Sequence, residues 1–201
     1  TDPIKAGVTS DVTVKVFDEF DNQVTDYLGT IHFTSSDIDA ALPADYTFDG
    51  TETVLGQVTF TGGVMFETTG LHAVTVTQGL VSGAQTGIDV TPAIADYFTV
   101  SGITDPIKAG VTSDVTVKVF DEFDNQVTDY LGTIHFASTD IDAALPLDYP
   151  FDGTETILGQ VTFTGGVMFE TTGIHAVTVT QGLVSGEQTG IDVTPAAASY
   201  F

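Results

Sequence analysis

The fold turns on one stretch, Asp11–Phe33, which reads DVTVKVFDEFDNQVTDYLGTIHF. Its two ends alternate. Val12, Val14 and Val16 fall on one face of an extended chain, with Thr13, Lys15 and Phe17 on the other; Ile31 and Phe33 flank His32 in the same way. A period of two belongs to a half-buried strand, and Val and Thr suit a pleated surface. Between the ends, DEFDNQ carries turn formers, with Asn22 able to hold a left-handed backbone. The stretch therefore predicts strand, turn, strand.

The same stretch returns unchanged at Asp114–Phe136. The segment TDPIKAG begins at Thr1 and again at Thr104, a period of 103 residues, and residues 1–98 align with 104–201 without a gap and with identity at 89 of 98 positions. Differences such as Thr34/Ala137, Ala44/Leu147, Thr47/Pro150, Ala84/Glu187 and Asp96/Ser199 are mostly small or apolar for apolar. Solenoid units run about 20–50 residues, so this period is that of a whole domain. Further strands are expected at Gln57–Thr61, Val64–Glu67, His72–Thr77, Gly87–Thr91 and Tyr97–Ser101, and a short helical turn within Asp37–Asp45.

About seven short strands per unit, separated by Gly, Pro, Asn and Asp, predict an all-β chain of two tandem immunoglobulin-like β-sandwich domains. The sequence places them at residues 1–94 and 95–197, with 198–201 opening a further repeat. The first strand of the unit is read as YFTVSG, Tyr97–Gly102, so the first domain is expected to lack its own copy. The chain starts in mid-pattern and reads as part of something longer.

Composition excludes several functions. There are 28 acidic residues, four lysines and no arginine, for a net charge of −24. Phosphate contacts are made mostly by Lys and Arg, so a nucleic-acid partner is not expected, and anionic membranes would repel the chain. No apolar run approaches the roughly 20 residues of a membrane-spanning helix. No cysteine is present, which removes disulfides and thiolate chemistry.

The runs AGVTSDVTVKVFDEFDNQVTDYLGTIHFTSSD, ALPADYTF and TGLHAVTV together resemble the filamin-type immunoglobulin-like repeats of large bacterial and archaeal surface proteins. The resemblance covers nearly the whole unit and recurs in both copies. It implies an extracellular stalk or spacer. The chain departs from the family pattern at Asp21 and Asp124, where a small residue such as Gly is more usual, and in its acidity.

No catalytic constellation stands out. The four histidines are two positions seen twice, His32/His135 and His72/His175. His32 is expected on the outer face. His72 is in phase with Val74 and Val76 and is expected to point inward and bond nearby backbone, as a corner tyrosine does in sandwich domains. Calcium is the one cofactor with residue support, because it takes several oxygen ligands from carboxylates, amides and carbonyls. The turn offers Asp18, Glu19, Asp21 and Asn22, repeated as Asp121, Glu122, Asp124 and Asn125. It is no EF-hand, since Gln23 and Gly29 stand where Gly and Glu belong. Immunoglobulin-like topology is expected to bring Asp121, Glu122 and Asp124 toward Asp2, Asp37, Asp39 and Glu67 of the preceding domain, with Asp96 in the linker. That crowding of charge would call for a cation or salt. The alternative is a plain polar turn, with Phe20 and Phe123 packed inward.

The sequence thus predicts a non-enzymatic structural repeat whose partners are neighbouring copies of itself. Two other roles are open: a subunit of a self-assembling filament with strand exchange, and an accessory carbohydrate-binding module using Tyr27, Tyr46 or Tyr97.

Overall fold

The computed structural model describes residues 2–200, and every regular element among them is a β-strand. The chain divides into two compact units, Thr1–Ala93 and Ile94–Phe201. The first holds β1 (Ile4–Lys5), β2 (Thr9–Lys15), β3 (Gly29–Ser35), β4 (Tyr46–Phe48), β5 (Gln57–Met65), β6 (Gly70–Gln78) and β7 (Val81–Thr91). The second opens with β8 (Tyr97–Ser101), which has no counterpart among the described residues of the first. Then follow β9 (Ile107–Lys108), β10 (Thr112–Phe120), β11 (Gly132–Ser138), β12 (Tyr149–Phe151), β13 (Gln160–Met168), β14 (Gly173–Gln181) and β15 (Val184–Thr194).

Each unit is a β-sandwich of immunoglobulin-like type. In the first, a five-stranded sheet of order β1-β7-β6-β3-β4 faces the pair β2-β5. In the second, the strands form one curled sheet of order β12-β11-β14-β15-β8-β10-β13, with β9 also on β15. The difference is β8. It runs antiparallel to β10, from Thr116 opposite Ser101 to Phe120 opposite Tyr97, and touches β15 in parallel at Ser185.

The predicted strands at Gln57–Thr61 and Val64–Glu67 are one element. Between Ser10 and Val12 the register against β5 jumps from Val64 to Phe60, which marks a bulge at Thr61–Gly63. Gly62 sits at φ 59°, a left-handed conformation that suits glycine. Asp11 Oδ1 accepts the Gly62 amide at 2.7 Å, and Asp114 does the same for Gly165. No helical turn extends over Asp37–Asp45. A single turn at Ile38–Asp39 closes on the Ala40 amide to the Asp37 carbonyl, and the chain then bridges to β5 through Ala41 and Met65.

The core follows the alternation read from the sequence. In the second unit Val115, Val117 and Val119 of β10 are fully buried beside Phe98, Val100, Phe136, Phe169, Val177 and Val179. Their counterparts Val12, Val14 and Val16 are only half-buried, because no strand covers them. The inward position expected for Phe20 is corrected: its ring is 76% exposed at the turn tip, while Phe123 is half-buried. At the edge strand β12, Pro150 replaces Thr47, and an edge accepts the missing N–H of proline.

Burying a Phe and a Val stabilises by about 1.5–3 kcal/mol each, so the two units should differ in stability. Thermal unfolding is expected to show the first unit melting below the second. Phe98→Ala should cost the second unit about 3–5 kcal/mol and leave the first transition in place, as followed by amide NMR of each unit.

Candidate functional site

The acidic turn is built around one carboxylate. Asp18 Oδ1 accepts the backbone amides of Phe20 and Asn22, both at 2.9 Å, and Oδ2 accepts Asn22 Nδ2 at 3.0 Å. Asp121 repeats the pattern with Phe123 at 3.0 Å, Asn125 at 2.8 Å and Asn125 Nδ2 at 3.0 Å. Both turns close through the amide of the Asp on the carbonyl of the Asn. The bonds from Asn22 and from the Phe20 amide hold the Asp18 carboxyl below its ordinary value. The left-handed residue is Asp21 (φ 62°) and Asp124 (φ 64°), not the Asn that the sequence suggested. This explains why a small residue such as Gly suits the position.

The turn has different surroundings in the two units. Asp18 and Asn22 are exposed, whereas Asp121 and Asn125 are buried. There Tyr97, the first residue of β8, stacks on Phe120 with ring centroids 5.4 Å apart, and its hydroxyl donates to Asp124 Oδ1 at 2.7 Å. The Asp124 bond, then burial, then the charges of Asp124, Asp121 and Asp96 push the Tyr97 phenol up to about 12. Asp96 therefore lies with the acids of its own unit, and its amide bonds the Phe120 carbonyl at 2.8 Å.

Asp37 and Asp140 are structural staples. Each is buried. Asp140 Oδ2 accepts the amides of Glu170 (2.9 Å) and Thr171 (3.0 Å), and Oδ1 accepts that of Asp142 (3.2 Å). Asp37 holds Glu67, Thr68 and Asp39 in the same way. Burial works to raise these two carboxyls, but the amides of Thr171 and Glu170, or Thr68 and Glu67, outweigh it and keep them below the ordinary value. Asp2 Oδ1 accepts the Asp89 amide at 2.9 Å. The other candidates, Glu19, Asp21, Asp39, Glu122 and Asp124, have exposed side chains. Among the described residues, no three His, Cys, Asp or Glu side chains stand close enough together to hold a metal ion.

The histidines are placed as their alternation predicts. His32 and His135 are exposed, each with Nδ1 at 2.6 Å from Asp45 or Asp148. His175 points inward, stacks on Phe169 and bonds the Thr171 carbonyl through Nε2 at 2.9 Å, the corner role expected of it. His72 stacks on Phe66 and meets Ser36 Oγ through Nδ1 at 3.3 Å, while its Nε2 is buried without a partner. The three tyrosines offered for sugar binding are all half-buried. Tyr27 packs edge-on to Phe48, Tyr46 edge-on to Phe48 and Phe60, and Tyr97 is stacked on Phe120.

The motifs did not reveal one concavity. In the first unit a groove of about 470 Å³ runs between β2 and the start of β7, lined by Val12, Val14, Val16, Tyr27, Val76 and Gly83 among others. In the second unit the corresponding space is filled by β8. The sequence did contain a signal: the YFTVSG segment, Tyr97–Gly102, stands directly before the second repeat.

Neither a protein-family model nor a curated protein matches the chain. Among solved structures it is similar to domains 1–6 of the surface layer protein SbsC (16% identity, TM-score 0.38), covering 90% of this chain and 22% of that one. It is also similar to FdeC, an Escherichia coli adhesin (17% identity, TM-score 0.45, 96% and 62% covered). A third is an enzyme, β-glucuronidase 3 of Bacteroides uniformis (8% identity, TM-score 0.36, 94% and 23% covered). The chain spans less than two thirds of each. At these scores the likenesses carry no argument about activity.

Two outcomes test the site. Asp140→Ala leaves three backbone amides without their acceptor and should cost about 2–3 kcal/mol in denaturant unfolding. The Asp140 contribution should also fade as the pH falls below about 4, since a depressed carboxyl stabilises above its ordinary value and stops doing so once protonated. Tyr97 has the opposite sign. Its folded value lies above the ordinary 10.0, so its contribution is complete below pH 10 and is lost as the pH rises toward about 12. Tyr97→Phe should remove the Tyr97 share of that alkaline slope and one late tyrosinate signal.

Proposed function

We propose that the chain is a structural repeat segment of an extracellular surface protein, of the filamin-type immunoglobulin-like kind, that extends or spaces a tandem array and catalyses nothing. One observation carries this reading. The sequence repeats with a period of one whole sandwich, strand for strand, at 89 of 98 positions. Near-identity over an entire domain, loops and outer faces included, suits a unit whose use is to be repeated. The acidic turns and the histidine positions are all duplicated, and the carboxylates of Asp18, Asp37, Asp121 and Asp140 hold backbone amides in place.

The acidity fits the same use. With a net charge of −24, the surface is highly hydrated and repels other copies and polyanions. Calcium enters this reading as a screening ion for the surplus carboxylates, since Asp18, Asp37, Asp121 and Asp140 already commit their oxygens to backbone amides and Asn side chains.

Single-molecule stretching of a chain carrying two further repeats tests the reading. Each repeat should unfold as a unit, with a contour gain of about 35 nm from its extended length. The step should be the same in calcium and in chelator. Steps of irregular size, or a ligand-dependent change in their number, would overturn it.

A further inference from the structure

We propose that the groove of the first unit is a strand-acceptor site, and that its occupant is an extended segment with the sequence of Tyr97–Ile103, YFTVSGI, supplied from directly before the repeat. The inference rests on the two units as folded and stands whether or not the chain is a spacer.

The second unit shows what the groove is shaped for. β8 lies antiparallel on β10, and Phe98 and Val100 are buried against Val115, Val117, Val119 and Val179. Every one of those residues has an identical counterpart in the first unit: Val12, Val14, Val16 and Val76. These line the open groove and remain half-buried. At its rim Phe17 and Val81 are exposed, whereas their counterparts Phe120 and Val184 pack against β8 or the core around it.

The backbone asks for a strand in particular. Among the described residues β2 pairs only with β5, and β7 pairs with β6 and, at Val90 and Thr91, with β1. One edge of β2 and one edge of the first part of β7 therefore have unpaired amides and carbonyls along an apolar groove. Such edges are templates for another strand. A compact apolar ligand would fill the volume and leave them unpaired, whereas an added strand satisfies both.

Two side chains point to the same occupant independently. A Cβ on Gly186 would collide with the backbone of Phe98, so the approach of β8 demands glycine there. Gly83, at the same place in the first unit, has a Cβ position with nothing within 4 Å and no left-handed φ, so nothing present explains why it is glycine. Gln188 clamps the segment just after β8, with its Oε1 accepting the Ile103 amide at 3.1 Å and its Nε2 donating to the Ile103 carbonyl at 2.8 Å. Gln85 is its counterpart. It lines the groove, is exposed and makes no side-chain hydrogen bond among the described residues. The groove thus keeps both the clearance and the clamp for a strand it does not hold.

The source follows from chain geometry. In the second unit only the five residues Gly102–Pro106 separate β8 from β9. A strand tethered that closely acts at high effective concentration and should outcompete the same sequence on another molecule.

The test fuses Ile94–Ile103 ahead of Thr1, which reproduces the order found in the second unit, and compares it with the same extension carrying Phe98→Asp and with the unextended chain. The native extension is expected to raise the first melting transition to meet the second. It should also slow amide exchange at Val12, Val14 and Val16 to the level of Val115, Val117 and Val119. The free peptide Ile94–Ile103 should produce the same protection in a concentration-dependent way, and Gln85→Ala should weaken it. An extension that leaves the first transition where it was, or a Phe98→Asp extension that works equally well, overturns the proposal. So does a dimer of the unextended chain that protects the same amides and is not dissociated by the peptide, since the occupant would then be a second copy.

Discussion

The constraint on which the structure depends is the need to pair strand edges across the opening between two small sheets. β2 and β5 form a two-stranded pair, which on its own is marginal in water, and β10 and β13 would form the same pair but for β8. What holds such a pair to the larger sheet is apolar contact across the sandwich and, where it exists, a strand bonded to both. β8 is that strand in the second unit. Through it the pair and the larger sheet become one curled sheet, and the valines between them lose their last contact with solvent. Without it the same valines line an open groove. Two sequences that are nearly the same thus give cores of different completeness, and the cause is a short segment at one end.

The influence of β8 reaches the acidic turn. Asp121 and Asn125 are buried while Asp18 and Asn22, with the same hydrogen bonds, are exposed. The turn itself is local, because a carboxylate accepting two amides and a side-chain amide is complete within five residues. Its surroundings are tertiary, since Tyr97 covers it and ties Asp124 to the sheet. The aspartates of this chain are largely of this kind. Asp11, Asp18, Asp37 and Asp49, and their repeats, accept backbone amides at bulges and turns. In a chain with four lysines and no arginine, such dipoles take the place of ion pairs. A carboxylate fixed by amides also needs no partner on the surface of a neighbouring copy.

Much of this was legible in advance for a physical reason. Period-two alternation states which residues face inward, and a duplicated sequence sets the same strands and turns twice. The inward valines, the outer His32, the bonded His175 and the strand at Tyr97–Ser101 all follow from these two facts. Other residues were misread where a local signal had two outcomes. Phe20 carries an apolar ring in a turn too short to return it to the core. In the Asp-Asn pair, residue preference points to Asn as the left-handed residue, but the carboxylate at Asp18 bonds the Asn22 amide and so places the preceding Asp21 at positive φ. Several of the acids offered as calcium ligands, Asp18, Asp37 and Asp121, also accept backbone amides, which order along the chain does not show.

By itself, then, the amino-acid sequence determined an all-β chain of two repeated sandwiches, their inward faces and the place of the acidic turns, because alternation and repetition are properties of order along the chain. The tertiary structure alone decided which carboxylates are consumed by backbone amides, that Gly83 and Gln85 stand without the strand their counterparts grip, and that one core is closed and the other open. Those depend on which edges meet across the sandwich, and residues far apart in order are brought together only when the sheets fold over one another.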